Sequence, residues 1–88
     1  MLREEFIASL AKDGFLEVLT LSRAANQFLE AHAHPFEAKA LVIEGQLRLR
    51  VNDAEQLYQA GQVFHLPANQ SHSEYYGPQG VTYLVGRK

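Results

Sequence analysis

The chain has 88 residues, a net charge of −2 and no cysteine. This length predicts one small domain, and the lack of cysteine excludes disulfides and thiolate metal sites. The basic residues are scattered, with Arg48 and Arg50 as their one close pair, so no basic stripe indicates a nucleic-acid partner. Apolar runs are short and the first residues lack the plan of a signal peptide, so we expect a cytoplasmic protein without membrane contact.

The first segment of the chain predicts a short helix within residues 1–13. Phe6, Ile7 and Leu10 fall on one side of a helix, surrounded by charged residues. Gly14 can take the left-handed conformation that ends such a helix, and Lys12 suits the negative end of the helix dipole. We therefore expect a helical segment followed by β-structure over residues 15–88.

After Gly14 the pattern changes to short runs of strand-forming residues. Eight runs are predicted as strands, over residues 15–21, 27–34, 37–43, 46–51, 55–59, 62–66, 71–76 and 81–85. Turn residues separate them, including Glu44-Gly45, Asn52-Asp53 and the segment 77–80. Short strands at this spacing predict an all-β fold, an antiparallel sandwich or barrel.

Three of the four histidines are placed so that they could share a site. His32 and His34 are two residues apart, and on a strand such residues point to the same face. His72 belongs to a later predicted strand and could complete a three-histidine metal site with open coordination positions. The alternative is a set of solvated or hydrogen-bonded histidines that bind no metal.

Around these histidines the chain resembles the cupin superfamily. Its first motif, G-x5-H-x-H, then three or four residues, E, six residues and G, covers residues 26–45. Its second motif, G-x5-P-x-G-x2-H-x3-N, covers residues 61–76. Six residues match at the family spacing: His32, His34, Gly45, Gly61, Pro67 and His72. The resemblance implies a small antiparallel jelly-roll barrel and a divalent transition metal (Fe, Mn, Ni, Cu or Zn) on the three histidines.

Four positions depart from the motifs. Asn26 and Asn69 replace glycines, and asparagine tolerates the left-handed backbone region well enough to preserve the second turn. Tyr76 replaces an asparagine. Ala38 stands where the family has its metal-binding glutamate. An ion on three neutral imidazoles would keep its full charge, and we expect it to favour an anionic oxygen ligand.

Glu74 and Tyr76 are the candidate catalytic residues, because a regular strand would place them on the same face as His72. Glu74 could replace the missing ligand or act as a general base, and an exposed glutamate at the sheet edge is the more ordinary alternative. Tyr76 could hydrogen-bond a substrate oxygen at the barrel mouth, or simply fill the core.

The remaining candidates have weaker expected roles. Alternation points Glu37 away from the site unless a bulge turns it inward. His65 is expected to lie at the surface or in a hydrogen bond rather than on a metal. Ala38, Ala40 and Val42 are expected to line the barrel and to leave a small, dry pocket.

The predicted function is that of a metal-dependent enzyme, similar to an oxygenase or isomerase, acting on a small anionic or oxygen-rich molecule. Related three-histidine cupins include thiol dioxygenases and diketone-cleaving enzymes, an analogy of fold that does not by itself define the reaction. The alternatives are a binding module without turnover and a metal-free structural dimer. Because 47% of the residues are hydrophobic, we expect part of the surface to pack in a homodimer.

Overall fold

The computed structural model describes the whole chain, Met1–Lys88, as one helix followed by six strands. The elements are α1 (Arg3–Lys12), β1 (Glu17–Arg23), β2 (Phe28–His32), β3 (Ala38–Val51), β4 (Ala54–Gln59), β5 (Val63–Leu66) and β6 (His72–Arg87). Every strand pairing is antiparallel. The helix is too short and too polar to cross a lipid bilayer.

The two long strands, β3 and β6, pair with each other and run through both halves of a jelly-roll. In one half, the first part of β3 lies between β5 and the last part of β6, whose other edge pairs with β1. In the other half, the last part of β3 lies between β4 and the first part of β6, whose other edge pairs with β2. The all-β jelly-roll that the sequence predicts is confirmed.

The predicted turns at Glu44-Gly45 and at residues 77–80 are wrong, since the strands continue through both segments. The register shifts there, with Gly45 opposite Val81 and Leu47 opposite Tyr76. Both Gly45 and Gly80 have φ of +73°, and a Cβ on Gly45 would lie 2.0 Å from the carbonyl oxygen of Gly80. The glycines therefore allow two long strands to bend where four were expected.

Helix α1 covers the outer side of the jelly-roll. Phe6 and Leu10 are fully buried and pack with Phe15, Leu41 and Leu84, a small core separate from the one between the sheets. Gly14 has φ of +83°, and Phe15 N–H donates to the Leu10 carbonyl, as in a Schellman cap. The predicted helix and its glycine stop are confirmed, although Ile7 is exposed.

Candidate metal site

The three predicted histidines converge at the interior of the jelly-roll. His32 ends β2 and is the register partner of His72, the first residue of β6. His34 lies just beyond the end of β2, so the predicted strand 27–34 is two residues too long at this end. The ligand atoms of the three side chains nevertheless all lie within 4.8 Å of one another. The bend after His32 preserves the convergence that regular alternation predicts.

Backbone carbonyls orient two of the three rings. His32 Nδ1 lies 2.8 Å from the carbonyl oxygen of Glu30, and His72 Nδ1 lies 3.0 Å from that of Gln70. Because a carbonyl oxygen can only accept, each Nδ1 carries the proton and each Nε2 of the neutral ring keeps a lone pair. Metal-ligating histidines are held in the same way, by a hydrogen bond on the nitrogen that does not bind the ion.

His72 Nε2 is the strongest indication of a ligand. The residue is only 2% exposed, and the acceptor near this buried nitrogen, Glu74 Oε2 at 3.5 Å, is too distant for a good hydrogen bond. Buried polar atoms are nearly always paired, so an orphaned lone pair beside two further imidazoles fits a bound cation. The three residues could therefore hold a metal ion.

His34 is oriented by stacking rather than by a hydrogen bond. Its ring lies parallel to that of Phe36, with 4.8 Å between the centroids. Burial lowers the pKa of His34, and the neighbouring rings of His32 and His72 lower it further. The neutral form that binds metal is thus the favoured one for His34.

Glu74 is buried, 6% exposed, and faces the histidines. Its Oε2 lies 3.5 Å from His72 Nε2 and 3.7 Å from His32 Nε2, and its Oε1 accepts a 3.3 Å hydrogen bond from the Tyr76 hydroxyl. The Glu74 carboxylate raises the pKa of His72, against the opposing effect of burial. The alternative of an exposed glutamate is therefore wrong, because β6 remains regular here and its alternation is kept.

Tyr76 is part of the core between the sheets rather than of an open mouth. The side chain is 2% exposed, and burial together with the nearby Glu74 carboxylate raises the pKa of its phenol. The neutral hydroxyl can thus donate to Glu74 at any ordinary pH. Its catalytic role stays a prediction.

Glu37 and His65 form a separate pair on the outer surface. Glu37 Oε2 lies 2.5 Å from His65 Nε2, and Lys88 Nζ lies 3.9 Å from Glu37 Oε1. No bulge turns Glu37 inward, and its neighbour Ala38 points to the cavity instead. The expectations that alternation points Glu37 outward and that His65 is a surface residue are confirmed.

The histidines open into a cavity of about 90 Å³. Its walls are largely apolar, and Ala38, Phe64 and Tyr83 contribute to them. Arg23 and Arg87 also line it, two residues that the sequence analysis did not select. Strand parity could have found them, since Arg23 follows Leu21 by two residues on β1 and Arg87 follows Val85 by two on β6. Ala40 and Val42 are buried as expected, in the core.

The fold and the site together define a class, that of small jelly-roll proteins with an inward-facing histidine cluster. The chain belongs to the cupin family, because the family model described as a cupin domain matches residues 23–75, more than half of the chain. Among curated proteins, none matches the chain in sequence.

Solved structures of other proteins share the fold. An RmlC-like cupin from Shewanella frigidimarina aligns with a TM-score of 0.70 and 20% identity, over 80% of this chain and 62% of that one. A protein of unknown function from Rhizobium leguminosarum gives 0.76 and 14%, over 80% and 66%. KdgF from a Halomonas species gives 0.68 and 12%, over 80% and 67%. The chain spans less than two thirds of the length of the first two, and these identities support the fold alone.

Proposed function

We propose that this cupin binds one divalent transition metal (Fe, Mn, Ni, Cu or Zn) through His32, His34 and His72. The observation that carries the proposal is the buried, unpartnered Nε2 of His72, which faces the other two rings. Imidazole nitrogen suits each of these ions, so the donor set defines the class of metal and leaves its identity open. When bound, the ion would supply Lewis acidity to an oxygen of the substrate.

We propose further that the protein is an enzyme, similar to an oxygenase or isomerase, that acts on a small anionic or oxygen-rich molecule. A cavity of about 90 Å³ is well below the roughly 300–1,000 Å³ of typical ligand pockets, which favours a small molecule. Arg23 and Arg87 on its wall favour a carboxylate or enolate over a cation. The hydrophobic residues in its walls lower the local dielectric constant, which strengthens these charge interactions.

Arg87 is well placed to orient an anion. Its guanidinium carbon lies 4.7 Å from the centre of the Phe36 ring, and its Nη1 donates to Glu17 Oε1 at 3.2 Å. Its Nε is buried and has no hydrogen-bond partner in the protein. One N–H of this guanidinium therefore has no acceptor in the protein, and we propose that a small carboxylate in the cavity supplies one.

Glu74 and Tyr76 complete the proposed site. Tyr76 reaches the cavity only through its hydrogen bond to Glu74, so we assign it a positioning role. Glu74 faces the histidines directly and would touch the ion or the substrate.

The second candidate function is a binding module or metal-free structural cupin without turnover, assembled as a homodimer. Large apolar side chains at the surface favour such an assembly, among them Leu16, 89% exposed, and Phe28, 59% exposed. We propose a cytoplasmic homodimer with a small-molecule ligand and no nucleic-acid or membrane partner. Light scattering at micromolar concentration tests the dimer, and a monomer mass would contradict it.

Metal content tests the proposed function. Untagged protein, incubated with each of the five ions and desalted, is expected to retain about one metal per chain by inductively coupled plasma mass spectrometry. His72→Ala should lose it, whereas His65→Ala, a matched surface histidine, should keep it. Circular dichroism verifies that both variants fold. Absence of metal from the wild-type protein with all five ions would favour the metal-free binding module.

A further inference from the structure

We propose that Glu74 is the fourth protein ligand of the metal site, supplied by β6 in place of the carboxylate that Ala38 lacks on β3. This inference rests on the proposed function. The sequence leaves two roles open for Glu74, ligand or general base, and the geometry favours the ligand. The site would then be a three-nitrogen, one-oxygen site whose oxygen comes from a different strand than the family motif uses.

The first support is that Glu74 is a buried carboxylate without a permanent cation. Its ion-pair partners are His32 and His72, and neither a lysine nor an arginine lies within 4.0 Å of it. An ionised carboxylate that is only 6% exposed is costly unless a positive charge compensates it. A divalent ion between the carboxylate and the imidazoles would provide that charge.

The second support is the spacing of the donor atoms. Ligands that lie roughly 2.0–2.2 Å from one ion are about 3 to 4 Å from each other. Glu74 Oε2 lies 3.7 Å from His32 Nε2 and 3.5 Å from His72 Nε2, within that range. These are the same two nitrogens that the backbone hydrogen bonds on Nδ1 leave with a lone pair.

The third support is that Tyr76 holds the carboxylate in this orientation. Its hydroxyl donates to Oε1, so the other oxygen, Oε2, is the one that faces the histidines. Ligating carboxylates are characteristically fixed by such a hydrogen bond on the oxygen that does not bind the metal. The tyrosine at the position where the family motif has asparagine thus belongs with the displaced glutamate.

The other carboxylate near the motif position does not compete. Glu37 is adjacent to Ala38 in sequence, but its side chain lies on the outer surface, against His65 and Lys88. With Glu74 as a ligand, the protein neutralises one of the two positive charges of the ion. The expectation of an ion at full charge, made from Ala38 alone, changes accordingly.

The test uses Co²⁺, because its visible absorption reports the ligand set as well as the affinity. Glu74→Gln keeps the side-chain volume and an acceptor for Tyr76 while it removes the charge, and Glu37→Gln is the matched control. Calorimetry is expected to show Co²⁺ binding weakened in Glu74→Gln by at least the roughly 10- to 100-fold that loss of a ligand's hydrogen-bond partner costs, with a shifted visible spectrum. Glu37→Gln should match the wild type in both readouts.

Two results would overturn the inference. An unchanged affinity and spectrum in Glu74→Gln would remove Glu74 from the site. A weaker affinity with an unchanged spectrum would mean that the carboxylate acts by its charge at a distance and is not a ligand. In both cases, loss of Co²⁺ in His72→Ala would leave the three-histidine proposal standing. Failure of the wild-type protein to bind Co²⁺ or any of the five proposed ions would overturn the proposed function together with this inference.

Discussion

Two histidine–glutamate pairs, one on the outer surface and one in the interior of the jelly-roll, have surroundings that give them different chemistry. His65 and Glu37 meet at 2.5 Å on the surface, where both atoms of the contact are satisfied. In the interior, His72 Nε2 lies 3.5 Å from Glu74 Oε2, and this nitrogen makes no hydrogen bond. The first pair needs no further ligand, whereas the second has a buried, unpaired lone pair and a buried carboxylate that a cation would satisfy.

The comparison also shows that the distance between two side chains does not by itself identify a site. The shorter contact is the less informative one, because ion pairs that are open to water contribute little to stability and are common on protein surfaces. Convergence counts for more. The ligand atoms of two further histidines, His32 and His34, lie within 4.8 Å of that of His72, and none accompanies the outer pair.

The largest expected difference between the inner histidine cluster and the outer pair is in stabilisation by metal. At a free metal concentration of 100 times Kd, the wild-type protein should gain about 2.7 kcal/mol in free energy of unfolding. If His34→Ala weakens binding by about 100-fold, the gain at the same concentration falls to about 0.4 kcal/mol. His65→Ala should retain the full gain. Urea unfolding followed by circular dichroism, with and without metal, measures all three proteins.

An equal loss of metal stabilisation in the two variants would break the comparison. It would mean that the outer histidine also supports binding. Addition of a chelator should return the wild-type protein and His65→Ala to their metal-free stability and lower that of His34→Ala by only about 0.4 kcal/mol.

A second prediction concerns pH, through a tyrosine on the wall of the inner cavity. Burial raises the pKa of Tyr83 to about 12, and the Glu74 carboxylate adds to the effect. The folded protein favours the neutral phenol, so Tyr83 ionises at a lower pH in the unfolded chain. The contribution of Tyr83 to the free energy of unfolding is therefore fully present below pH 10 and is lost as the pH rises from about 10 to about 12. Tyr83→Phe should reduce the loss over that interval by about 2 kcal/mol.

Urea unfolding at intervals from pH 9 to 12 measures this loss. Tyr75→Phe is the control, since that ring is 45% exposed, and it should leave the alkaline loss unchanged. If the free energy of unfolding of Tyr83→Phe depends on pH in the same way as that of the wild type, Tyr83 is not the source of the alkaline loss. Tyr76 contributes in the same direction, so a residual loss is expected in Tyr83→Phe.

The smallest expected effect is at the outer pair. His65→Gln and Glu37→Gln should each change the free energy of unfolding by less than about 1 kcal/mol at pH 7, because the pair is open to solvent. A double-mutant cycle gives their coupling. A coupling above about 2 kcal/mol would show that the surface pair contributes to the fold as much as the interior does, and would remove the contrast between the two pairs.

The sequence by itself determined the fold class and the grouping of three histidines. The spacings that predicted both are those of Gly45, Gly61, Pro67 and His72 beside a His-x-His pair. Asn69 shows the physical reason, because its φ of +64° is the left-handed turn that the family glycine would supply. Local backbone requirements of this kind can be predicted from residue type and spacing.

Only the tertiary structure decided the surroundings of the histidines. Which strands lie side by side decides three features of the molecule. These are the position of Glu74, the inward placement of Arg23 and Arg87, and the continuation of β3 through Gly45. Strand parity named Glu74 as a candidate, but burial of its carboxylate follows from contacts with residues more than 40 positions away, His32 among them. Sequence patterns record local periodicity, whereas burial and charge pairing arise from long-range packing, and these surroundings determine the chemistry of the site.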